Sequence, residues 1–416
     1  MAERSAAFTA FQVPSFRRYQ AARFTITLVT QMAGTAVGLQ VYDATHRPLA
    51  LGYVGLAQFI PAFLLVLPSG VVADRFDRRR VVATCHLLLA AGWAILAAAT
   101  RHGVHDVAAV YAVLVMMGVA RSFSGPAASA LLPNLVPPSV LGNAVSWSST
   151  VWQLATIAGP PLGGVVYAIG GASAVYACAL AGALVSATLV QGVGIVGSAR
   201  GGSRRVGSAS ELLAGVLYVW TNRLVLGLIS LDLFAVLLGG AVALMPVYAR
   251  AILHADAVTL GWLRGAPAIG ATMTALWLAW RPLRHRAGPW MLGCVAIFGA
   301  ATIVFGLSRN LYLSLAALVV VGASDMVSVV IRSHAVQVAT PDAMRGRVSA
   351  VNLVFVGASN ELGEFESGVT ADLFGPVRAV VGGGIGTLLV VAAWTGLFPS
   401  LRDLDRLDRD GEAKAS

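Results

Sequence analysis

The chain has 416 residues, 57% of them hydrophobic and only 12% charged, with a formal net charge of +10 and a mean hydropathy of +0.77. Soluble domains carry about a quarter of their residues as charges, so water is excluded as the main solvent of this surface and a bilayer takes its place. The basic residues lie in short clusters between apolar runs rather than in one patch interleaved with aromatics, which excludes nucleic acid as a partner.

In chain order, the polar start from Met1 to Tyr19 places Arg17 and Arg18 directly before a long apolar run and offers no small-residue cleavage site, which predicts a retained first helix rather than a signal peptide. Runs long enough to cross ~30 Å of hydrocarbon fall at 20–43, 51–73, 81–101, 107–129, 140–169 and 172–196. A Gly/Ser/Arg-rich break follows at 197–210. Six more runs come after it, at 224–250, 258–280, 289–308, 311–335, 346–373 and 376–399. An outer-membrane barrel would show alternating strands of ~10 residues instead. The expected fold is an all-α membrane protein of 12 transmembrane helices in two pseudo-symmetric six-helix bundles. Its expected domains are 1–197 and 224–399, a cytoplasmic linker at 198–223 and a cytoplasmic tail at 400–416.

Of the 29 Lys and Arg residues, 21 fall on the side that holds the N-terminus, five on the opposite side, and three, Arg121, Arg264 and Arg332, inside spans. Cytoplasmic loops retain positive charge, so both termini are expected in the cytoplasm and the protein in the cell's inner membrane as a multi-pass chain. The two halves also align. An offset of 206 superposes Tyr42 on Tyr248, Gly55 on Gly261, Pro61 on Pro267 and Arg78 on Arg284. Further on, an offset of 204 superposes Pro137 on Pro341, Gly142 on Gly346, Gly159 on Gly363 and Gly164 on Gly368. Repeats of this kind let a transporter rock one half against the other around a midplane site.

After the second span the sequence runs from Gly70 through Asp74 and Arg75 to Arg78 and Arg79. This resembles the G-x-x-x-D-R-x-G-R-R loop of the major facilitator superfamily, whose twelve-helix organisation also agrees with the spans. Asp77 stands where that pattern has glycine, so the turn must be made without the free φ of glycine. The resemblance implies a cytoplasmic gating loop in which Gly70 permits close packing, Asp74 caps or faces a helix N-terminus, and Arg75, Arg78 and Arg79 pair with acids or anionic headgroups. Arg121 and Gly125 resemble the superfamily's R-x-x-q-G motif of helix four, which is linked to proton transfer, with Ser124 in place of the usual glutamine. Gly159, Pro160, Gly163 and Gly164 match a G-P-x-x-G-G segment that resembles the helix-five motif of antiporters rather than symporters. The stretch from Gly322 to Gly368 resembles the branch containing enterobactin and other siderophore exporters and transmembrane secretion effectors.

Eight charges fall in or near hydrocarbon: Arg121, Asp232, Arg264, Asp325, Arg332, Glu361, Glu364 and Glu366. At ~2.5 to 3.5 kcal/mol each on insertion scales, facing lipid would cost more than ~20 kcal/mol in all, so they must face protein or a watery cavity. The repeat sets Arg121 at the depth of Asp325, and Asp325 and Arg332, seven apart, share a helix face, as do Glu361 and Glu364. Carboxylates in a partly dry cavity beside like charges suit a group that loads and releases a proton. The proton-coupling and cavity set is therefore Arg121, Asp232, Asp325, Arg332, Glu361 and Glu364.

Cys85, Cys178 and Cys294 lie inside apolar runs with no metal-ligand spacing, and no metal or other cofactor is expected. Gly192, Gly194 and Gly197 satisfy G-x-G-x-x-G without a preceding strand, and no catalytic or nucleotide motif accompanies them, so enzyme chemistry is not indicated. The expected partners are a small-molecule substrate, protons and the lipid bilayer, with the chain a monomer. The expected function is export of a small organic molecule, such as a siderophore, drug or amphipathic metabolite, by proton antiport with alternating access. Proton-coupled import of a small nutrient and a non-transporting membrane sensor stand as alternatives.

Overall fold

A computed structural model describes residues 8–102, 106–194, 209–281, 285–342 and 344–405, and their regular secondary structure is helical, with no strand among the described residues. Most of the Gly/Ser/Arg-rich break, the tail beyond residue 405 and Arg284 lie outside them. The first helix, α1 (Pro14–Thr45), starts with proline at its first turn, where the missing N–H costs nothing, and ends at His46 in the left-handed region. The second span is broken into α2 (Pro48–Leu64) and α3 (Val66–Arg75), with a bend of 61° between Pro48–Leu64 and Pro68–Arg75. Pro68 has no N–H to offer the carbonyl of Leu64, and the chain yields there. Asp77 caps α4 (Arg78–Arg101) and Asp106 caps α5 (Val107–Leu131), each accepting from a backbone N–H two residues on.

The longest helix, α6 (Leu141–Gln191), has 51 residues and holds two spans divided at Gly171, whose φ of 65° only glycine adopts without strain. After the undescribed segment, α7 (Ala209–Thr221) forms within the expected linker. Asn222 then breaks the helix and caps α8 (Arg223–Leu238), which continues through short 3-10, α and π turns to Ile252. The remaining elements are α9 (Ala257–Trp280), α10 (Ala287–Leu307), α11 (Leu311–Ala339), α12 (Arg345–Phe374) and α13 (Pro376–Leu397).

Eight helical segments are long and apolar enough to cross a membrane, and the bent pair α2 and α3 makes a ninth. The break at Gly171 turns one of these into two spans. Helices α9 and α12, with 24 and 30 residues, bring the described spans to twelve. Both are less apolar, because α9 carries Arg264 and α12 carries Glu361, Glu364 and Glu366.

The chain forms two compact units, each with one short segment drawn from the other half of the sequence. The first comprises Met1–His46, Leu56–Val206 and Ala255–Gly265; the second comprises Arg47–Gly55, Gly207–His254 and Ala266–Ser416. In the first unit α6 packs along α1 and α4, and Phe16, Tyr19, Leu131 and Leu135 form a fully enclosed cluster. In the second unit α10 packs on α11 and α13, and Leu228, Leu231, Met291, Ile331 and Val348 lie in its apolar core.

Candidate functional site

In the loop after the second span, Asp77 has an ordinary φ of −61°. The glycine of the family pattern is thus replaced by an N-cap: Asp77 Oδ1 accepts from Arg79 N at 2.9 Å, and Oδ2 pairs with Arg79 Nη2 at 2.9 Å. The turn expected to need special backbone freedom makes do with a side-chain hydrogen bond. Asp74 and Arg78 approach to 4.0 Å, while Arg75 is exposed and Gly70 buried.

The other loop contacts go to backbone. Arg78 Nη1 donates to Ala130 O at 3.0 Å, Arg79 Nη1 to Val193 O at 3.0 Å, and Arg18 Nη1 to Gly192 O at 2.7 Å. These carbonyls lie at the C-terminal ends of α5 and α6, where helices leave acceptors unsatisfied and cations complement the helix dipole. The arginines therefore tie helix ends together within the first unit.

The antiporter-like segment of α6 is a close-packing surface. A Cβ at Gly163 would lie 2.6 Å from Met32 O, and one at Gly159 would lie 2.5 Å from Gln31 Cβ, so both abut α1. A Cβ at Gly164 would overlap Ala257 O at the start of α9. Pro160 is buried, and its carbonyl faces Gly261 of α9. In this unit Arg264 of α9 also donates to Gly34 O of α1 at 2.6 Å.

Among the in-span charges, the second unit joins Asp232 of α8 to Arg332 of α11 as a buried ion pair, Arg332 Nη1 to Asp232 Oδ1. Asp325, two turns from Arg332 on α11 and half-buried, feels the charge of both. Arg332 Nε meets no acceptor among the described residues. Glu361 and Glu364 of α12 converge on Gly55, where an added Cβ would lie 3.3 Å and 2.9 Å from their respective Oε2 atoms. Near the C-terminal end of α12, Asp372 accepts from Arg47 at 2.7 Å. In the first unit Arg121 Nη1 donates to Gln58 Oε1 at 2.6 Å.

Two contacts had no signal in the sequence. Gln58 is one amide in an apolar run. His86 is buried, with its Nδ1 3.0 Å from Ser186 Oγ, which itself donates to Ala22 O at 2.8 Å.

Twelve helices carrying charge inside the spans and a signature loop after the second define a major facilitator transporter. Solved structures share this fold. The nucleoside transporter NupG, as its D323A mutant, matches with a TM-score of 0.73 at 14% identity, covering 92% of this chain and 100% of that one. A bacterial homologue of the iron transporter ferroportin matches with a TM-score of 0.70 at 16% identity, covering 94% and 98%.

More particularly, the model of the transmembrane secretion effector family matches residues 5–415, and the chain belongs to that family. It is 25% identical over 379 residues to the enterobactin exporter EntS of Escherichia coli O1:K1 / APEC, across 91% of this chain and 90% of the relative. The EntS of Shigella boydii serotype 18 matches over the same shares. The protein is a secondary transporter of small molecules rather than an enzyme, and a multi-pass membrane protein.

Proposed function

We propose that this chain exports a small organic molecule across the inner membrane by proton antiport. Alternating access would expose its substrate site first to one side and then to the other. The observation that carries the coupling is the cluster of Asp232, Asp325 and Arg332 in the second unit. With both carboxylates ionised, it holds one uncompensated negative charge in a low-dielectric setting. A proton on Asp325 brings the cluster to neutrality without disturbing the Asp232 to Arg332 pair.

Glu361 and Glu364 form a second acidic site on α12, and Arg121 completes the proposed cavity set. Export is supported by the antiporter-like segment from Gly159 to Gly164 and by similarity to the enterobactin exporters, which favours siderophore-like or amphipathic cargo. A potential of ~150 mV supplies ~3.5 kcal/mol for each charge moved, enough for a gradient of several hundredfold. In this reading the chain works as a monomer of two six-helix halves, 1–197 and 224–399, with both termini cytoplasmic. The loop of Gly70, Asp74, Arg75, Arg78 and Arg79 serves as its cytoplasmic latch.

The test uses energised inside-out vesicles carrying the full chain, with lumenal pH followed as siderophores and lipophilic drugs are added. Wild type should release lumenal protons on adding a transported compound, and Asp325→Asn should not, while still exchanging labelled compound down its own gradient. A flat pH signal in wild type during transport of that compound would rule out proton antiport.

A further inference from the structure

Arg121 stands near the middle of α5 and is exposed. An arginine facing lipid at that depth is costly, so this face fronts water rather than hydrocarbon. Its hydrogen-bond partner is Gln58, a neutral amide, at 2.6 Å, and it meets no carboxylate among the described residues. An amide orients a guanidinium without neutralising it.

The orientation is firmly built. A Cβ at Gly118, one turn before Arg121, would lie 2.8 Å from Gln58 O and 3.2 Å from Gln58 Cα, so α2 and α5 approach at backbone distance here. One turn beyond Arg121, Gly125 is exposed and an added Cβ there would meet nothing within 4 Å. Positions 121 and 125 share a helix face, so the guanidinium and the gap beside it front the same open volume. Arg332 differs on both counts, being buried and already paired with Asp232.

We propose that Arg121, oriented by Gln58 and given room by Gly125, is an anion-binding subsite, and that the transported class is a small organic anion bearing carboxylate or phenolate oxygens. The planar fork of arginine offers five N–H donors, of which Gln58 takes one, and the rest suit a bidentate oxyanion. The inference rests on the transporter reading but requires neither proton coupling nor export.

The test is equilibrium binding to the full chain purified in detergent, without a pH gradient, using labelled salicylate, the neutral analogue benzamide and the cation tetraphenylphosphonium. Wild type should bind salicylate at least about tenfold more tightly than either of the others. Arg121→Gln should lose about tenfold or more of salicylate affinity, roughly the worth of one charge-assisted hydrogen bond, and leave benzamide binding unchanged. Arg121→Lys should lose less. Gly125→Leu should obstruct salicylate more than Gly125→Ala does, and a retained unfolding midpoint shows that these variants are folded.

The proposal is overturned if salicylate fails to bind wild type, binds no better than benzamide, or binds Arg121→Gln as it binds wild type. Because binding here needs no gradient, a flat proton signal in the vesicle experiment would sink antiport and leave this subsite standing. The reverse also holds.

Discussion

The two units handle charge in opposite ways. In the second, Arg332 and Asp232 are buried against one another, with Asp325 close enough to feel both. In the first, three buried polar contacts join neutral groups: Gln20 to Ser148, Tyr176 to Gln40, and His86 to Ser186 to the carbonyl of Ala22. Several charges of the first unit lie at helix ends, as in Arg18, Arg78 and Arg79, and Arg121 lies on an exposed face. A cluster inside the fold that carries one negative charge too many is available to a proton, whose arrival neutralises it. An unbalanced charge on an exposed face is available to a ligand.

The largest expected effect breaks this comparison directly. Arg332→Met strips the partner from a buried carboxylate, and breaking such a pair costs about 3 to 5 kcal/mol. The expected result is a marked fall in the unfolding midpoint of the purified protein. The double variant Asp232→Asn with Arg332→Met should recover part of it, because position 232 then holds no unpaired charge while Asp325 stays without its cation. Arg121→Met, on an exposed face, should change stability by no more than about 0.5 kcal/mol. Equal losses from Arg332→Met and Arg121→Met would mean that the units do not differ as described.

A smaller effect is expected in the neutral interior of the first unit. The single hydroxyl hydrogen of Ser186 goes to Ala22 O, so the hydroxyl accepts from His86 Nδ1 and joins α1, α4 and α6 at one buried point. Ser186→Ala leaves the ring N–H unpaired away from water, at about 1 to 3 kcal/mol, while Ala22 O, inside α1, keeps its helical hydrogen bond. His86→Phe with Ser186→Ala should be milder than Ser186→Ala alone, since it removes the ring N–H that would otherwise be left unpaired. Thermal unfolding of the three variants in detergent decides it.

The spans were readable from sequence because hydrocarbon thickness imposes a length on every apolar run. The loop and the α6 segment were readable because glycine and proline mark where backbones must approach or bend. The pairing of Asp232 with Arg332 was not, since it joins residues 100 apart through the packing of α8 on α11. The sequence offered Asp325 as an equally good neighbour on the same helix face. Gln58 was invisible for a different reason: an amide has no formal charge to stand out in an apolar run, and its role depends on the backbone contact made at Gly118. The helical turn register of 209–221 was hidden by its place beside a stretch with the composition of a linker.

The smallest effect concerns charge at a helix end. Asp77 caps α4, and the hydrogen bond from the Arg79 side chain, with those from the backbone N–H groups of Arg79 and Arg80, holds its carboxyl below the usual carboxylate range. A depressed folded-state value means that the cap contributes fully above the ordinary carboxylate pKa and is lost as pH falls through the folded value. Asp77→Ala should therefore cost about 1 kcal/mol at neutral pH, whereas Asp77→Gly, the residue of the family pattern, should cost only about a few tenths. Unfolding midpoints measured from neutral pH downward should bring wild type and Asp77→Ala together in acid, while Asp77→Asn, whose amide accepts without titrating, keeps its margin over Asp77→Ala. A constant gap between wild type and Asp77→Ala at every pH would show that Asp77 acts through its shape. The charges of the first unit would then matter only at Arg121 and the arginine-tied helix ends.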